Sequence, residues 1–203
     1  MPTVLLTLLS IIQALSLEFL WSHMKESPYL FEMSWDACLY WIQIGATFLG
    51  IVQIWIVYSS NALRFRWVPR TSDSIFPFLV GLFEFALIES LGPGNLGWWF
   101  GSFGILFALI TWIDHSIMRH ARNDGSNSIF FDQFEPATIR DFYPAIVIFI
   151  VVETVAVLLL MNGGGGAFTL LALLGATMLM LWFIRTSSMY WNRSVSEKLA
   201  ECD

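Results

Sequence analysis

The chain has 203 residues, of which 57% are hydrophobic and 13% charged, with a net charge of −6 and a mean hydropathy of +0.67. A soluble domain is about 45–50% apolar and about 25% charged, so this balance points to an all-α polytopic membrane protein. The negative charge, with no basic stripe between aromatics, excludes nucleic acid and leaves the lipid bilayer as the expected partner.

Six runs are long enough to span a hydrocarbon core, which takes about 17–25 residues. They lie near 3–23, 37–60, 75–91, 97–118, 143–161 and 167–188. The expectation is a six-transmembrane-helix bundle, with 1–203 as a single transmembrane domain and no room for a separate soluble one.

The first run lacks a basic leader and a small-residue cleavage site and carries Glu18 and Trp21, so it is expected to be a retained helix. The segment "SPYLFEMSWDACLYW" that follows is expected to lie in the interface. The second run is followed by Arg64, Arg66 and Arg70. The third, "GLFEFALIES", is the shortest and holds Glu84 and Glu89. It leads through "GPGNLG" into the fourth, which ends in Arg119 and Arg122.

The stretch 119–142 carries Ile129, Phe130, Phe131, Phe134, Ile139 and Phe142, too many apolar side chains for a free linker. It is expected to lie on the membrane surface or to dock a cytoplasmic partner through Phe130, Phe131 and Phe134. Packing over the bundle's own end is the alternative. The fifth run holds Glu153 and ends in "NGGGG". Like "GPGNLG", this reads as a tight turn between antiparallel neighbours.

Nine of the ten basic residues fall on one side of a six-helix arrangement, with Lys25 alone on the other. Lys and Arg are retained in cytoplasmic loops, so both termini are expected in the cytoplasm. Cys38 and Cys202 are then separated by the bilayer and cannot pair within one chain.

The even runs resemble one another: Ala46/Gly50 with Trp55 and Ser59, Gly104/Ala108 with Trp112 and Ser116, and Ala172/Ala176 with Trp182 and Thr186. A threefold helical-hairpin repeat is one explanation. Ordinary bundle packing, with Trp at interfaces and small residues at helix contacts, is the other. The small-residue faces also fit a homo-oligomer or a complex with another membrane subunit.

Glu84 follows Pro77 by seven residues and Glu153 follows Pro144 by nine. At 1.5 Å per residue that is roughly 10–14 Å from the helix starts, near mid-membrane. A charge there costs about 2.5–3.5 kcal/mol even on the lenient insertion scale. Glu18 and Glu89 lie nearer the helix ends. The polar residues within reach are Gln13, Gln43, Gln53, Thr47, Thr154 and Thr177. Deep carboxylates of this kind either exchange protons along a wet path or hold helices together as neutral acids.

Haem needs histidines facing each other across helices, whereas His23 lies at the opposite end from His115 and His120. No nucleophile motif, retinal lysine or rich His/Asp set is present, so neither an enzyme nor a metal or cofactor site is expected. Two classes remain. One is a transporter or channel for protons or small cations using Glu84 and Glu153, with Glu18 and Glu89 as further candidates. The other is a non-transporting membrane subunit or sensor.

Overall fold

The computed structural model describes residues 2–65, 71–92, 94–128, 131, 142–164 and 166–200. The described residues form six helices and no strand: α1 (Pro2–Lys25), α2 (Trp35–Arg64), α3 (Phe76–Glu89), α4 (Leu96–Ala121), α5 (Phe142–Asn162) and α6 (Ala167–Ala200). Short 3-10 turns occupy Pro28–Phe31, Thr71–Ser74 and Gly125–Asn127.

Local chemistry fixes the ends. Ser34 caps α2, its hydroxyl accepting from the Ala37 N–H at 3.1 Å, and Asp36 sits in the first turn, against the positive end of the helix dipole. Pro77 occupies the first turn of α3, where its missing N–H is not needed. α5 stops at Gly163, which takes φ +67°, a left-handed conformation that disfavours a side chain.

Five helices (α1, α2, α4, α5 and α6) are long and apolar enough to cross a membrane. They overrun the apolar runs by one or more residues at every end except the start of α6, which begins with its run at Ala167, because the backbone hydrogen-bond ladder continues after the apolar side chains stop. α3 is the exception. Its 14 residues measure about 21 Å, short of the roughly 30 Å of a hydrocarbon core.

The turn that follows α3 is covered by protein. The α3–α4 turn is covered by the α1–α2 connection, with the Tyr29 hydroxyl oxygen 2.6 Å from where a Cβ on Gly92 would lie. Gln43 of α2 reaches in from the side: the Gly92 N–H donates to its Oε1 at 3.2 Å, and its Nε2 donates to the Ser90 carbonyl at 3.5 Å. Buried backbone outside a helix must find such partners, and here one amide supplies them. Leu30 is buried in the cover, and its carbonyl accepts from the Trp41 indole at 2.9 Å.

α4 and α5 form the most extensive pairing, followed by α2 and α6; α1 packs on α3 and α2, and α3 on α4. Leu96 meets Gly164, Gly97 meets Leu160, and Gly104 meets Val152 and Glu153, while His115 lies against Phe142. That order makes α4 and α5 antiparallel. α2 and α4 run parallel, tied by the Trp99 indole donating to Thr47 Oγ1 at 2.9 Å and by Asn61 donating to Asp114. Trp99 is fully buried at the centre and stacks on Phe103 at 5.2 Å.

The expected packing of α5 with α6 across the "NGGGG" turn is corrected. α6 lies mainly on α2, turning Thr169, Leu173, Ala176 and Met180 inward. This stripe recurs at three- and four-residue spacing, which is one helix face, and α2 offers it more contact than α5 does. The two pairs, α4–α5 and α2–α6, are left with a gap between them.

Candidate functional site

Glu84 is completely buried on α3. Its Oε1 accepts from Gln13 Nε2 and its Oε2 from Ser16 Oγ, both at 2.7 Å. Gln13 and Ser16 are three apart on α1 and so share a face. The carboxyl is thus a clamp between two helices. Gln13 was legible in the sequence as a neighbour of the right depth. Ser16 was not singled out, although its spacing from Gln13 in an otherwise apolar helix is the available signal.

Glu153 is half-buried on α5, with its carboxyl lying over Gly104 and near Gly101 of α4. Its Oε1 is buried and has no hydrogen-bond partner. The two carboxyls share no hydrogen-bond partner: Glu84 is bonded to α1, and Glu153 rests on the glycine face of α4. Glu18 and Glu89 are exposed.

The other polar residues have separate duties. Thr154 and Thr177 each donate back to the carbonyl four residues earlier in their own helices, at 2.7 and 2.8 Å. Gln43 and Thr47 hold the covered turn and Trp99. Gln53 Nε2 donates to Ser187 Oγ of α6 at 3.0 Å.

Gln53 borders a partly open cavity of about 300 Å³ between the α4–α5 and α2–α6 pairs. Its wall is mostly apolar, including Ile54, Ile148 and Phe183, with Gln53, Thr111, Asp114 and Ser187 as polar points. Neither Glu84 nor Glu153 lines it. At one end Asp114 accepts from Asn61. This pair was not anticipated, since sequence places both residues near one end of the bundle but not beside each other.

Of the aromatic docking candidates, Phe130 and Phe134 lie outside the described residues. Phe131 is half-buried and stacks on Phe65 at 5.4 Å and 17°. That stack, just past the end of α2, is what packing over the bundle's own end would give. Among the described residues no group of three or more His, Cys, Asp or Glu side chains is placed to hold a metal ion. Compared with family models, curated proteins and solved structures, the chain matches none.

Proposed function

We propose that this is a non-transporting integral membrane subunit in which the deep carboxylates join helices. The observation that carries this reading is Glu84, fully buried with both oxygens occupied by donors from α1. A carrier carboxyl must exchange its proton with a water path, and Glu84 lines neither the cavity beside Gln53 nor the small one beside Asn61 and Tyr58. The chain would cross the membrane six times with both termini cytoplasmic, α3 and its covered turn together making the third pass. Its work would be assembly with another membrane protein or a second copy, without catalysis.

Two of the small-residue positions are used within the chain. Gly104 is taken by Glu153 within the chain, and Ala176 is buried. The exposed apolar faces of α5 and α6, including Ile146, Ile150 and Val157 on α5 and Leu171, Met178 and Leu181 on α6, are what lipid or a partner would cover.

Transport of protons or small cations is the second reading, favoured by the buried, unpartnered Glu153 Oε1. Proteoliposomes under a pH or cation gradient separate the two. The subunit reading expects flux equal to empty vesicles, in the native protein and in Glu84→Gln and Glu153→Gln alike. Flux that either substitution abolishes would establish the transporter instead.

A further inference from the structure

We propose that the cavity between the two helix pairs binds a lipid alcohol: an apolar molecule from the bilayer that presents a hydroxyl group to Gln53. Its volume of about 300 Å³ is at the lower bound of small-molecule sites, roughly 300–1,000 Å³, which are mostly apolar with a few fixed polar groups. Two of its lining residues, Trp182 and Pro144, are exposed and lie on helices long and apolar enough to cross a membrane. An entrance between them would open toward the bilayer.

The polar requirement comes from one atom. Gln53 is only 8% exposed, it lines the cavity, and its Oε1 has no hydrogen-bond partner. A buried unsatisfied carbonyl is costly, so a donor arriving in the cavity is favoured. The two ends of a glutamine amide are interchangeable in assignment. In the opposite orientation Ser187 would donate to the oxygen and the NH₂ would be left to donate. A hydroxyl satisfies either arrangement, because it both donates and accepts. A carboxylate or phosphate meets only the second, and it would also approach the Asp114 carboxyl on the same wall.

Gly50 offers an independent handle. It lines the cavity, and a Cβ built on it meets nothing within 4 Å. A leucine there would fill the space without displacing the helix. Gln53→Leu, by contrast, keeps side-chain bulk and removes the hydrogen-bonding amide.

The test uses the full chain in nanodiscs with two photoactivatable probes of equal length, a medium-chain primary alcohol and the corresponding alkane. The alcohol should crosslink saturably to peptides containing Ile148 or Phe183. Gly50→Leu should lower that labelling about tenfold, and Gln53→Leu about three- to tenfold, the value of one hydrogen bond. Alkane labelling should be weaker and indifferent to Gln53→Leu. A native-like unfolding midpoint for Gly50→Leu certifies that the fold is intact. Equal labelling by both probes, labelling that ignores Gly50→Leu, or alcohol labelling that ignores Gln53→Leu would each overturn the proposal; the last would leave an apolar cleft with no recognition of the hydroxyl.

Discussion

Glu84 and Glu153 are the same residue type at similar sequence depth, and their surroundings treat them differently. Glu84 has two donors from another helix; Glu153 has a glycine surface and an unpartnered oxygen. Depth was legible because it follows from counting residues beyond Pro77 and Pro144. Partners were not, because a polar side chain can turn toward any of several helices and only packing decides which. Glu84→Leu should therefore strand Gln13 and Ser16 as buried donors, at about 1–3 kcal/mol each, lowering stability by roughly 2–6 kcal/mol. Glu84→Gln keeps one acceptor for Gln13 and gains a donor for the Ser16 hydroxyl, so its loss should stay under about 1.5 kcal/mol. Reversible unfolding in mixed detergent measures both. A leucine variant as stable as the native protein would remove Glu84 from its role as a clamp.

Between α4 and α5 the spacing of glycines does what hydropathy alone does not show. Gly97, Gly101 and Gly104 lie on one face of α4, and α5 approaches so closely that a Cβ on Gly97 would sit 2.9 Å from the Leu160 backbone nitrogen. Backbone cannot move aside as a flexible side chain can, so Gly97→Leu should separate the pair and cost about 3 kcal/mol or more, as overpacking does. Gly50→Ala is the control of opposite sign: its Cβ has open space, so removing the flexibility of a helical glycine should stabilise by about 0.5–1 kcal/mol. Unfolding midpoints that fall for the first and rise for the second would confirm that the two glycines serve different ends; equal shifts would refute it.

The small-xxx-small pattern marked Gly104 as a contact. It equally marked Gly50, which borders a cavity instead. The spacing is a permission for close approach, and whether a neighbour uses it is settled by the rest of the bundle. The length of α3 was similarly illegible. Its apolar run continues through Leu91, but the helix stops at Glu89, and Gly92, at positive φ, turns the chain under Tyr29 and Gln43. Recognising that turn as buried needs knowledge of what folds over it.

At the scale of the molecule, the all-helical class was legible from composition, and the major helices from apolar runs, since a bilayer demands both. The neighbour relations were not, apart from the sequence-adjacent pairs that do pack. Orientation rests on basic residues, a signal independent of packing, and the structure supplies its geometric complement. Leu96 meets Gly164, so the starts of α4 and α6 and the end of α5 share one face of the bundle. Ser126 lies past the far end of α4. Asn95, Asn162 and Ser126 are all exposed, and so is Cys38. In a chain with Cys38 and Cys202 replaced by serine, single cysteines at these three positions should divide into two groups toward a membrane-impermeant maleimide. Asn95→Cys and Asn162→Cys should react from outside intact cells, and Ser126→Cys only after permeabilisation. The first two must behave alike, because α4 and α5 are antiparallel and their joined end carries both. Labelling of Asn95→Cys and Asn162→Cys from opposite sides would contradict the helix pairing itself. Labelling of both only from the cytoplasm would leave the pairing intact and reverse the orientation drawn from the basic residues.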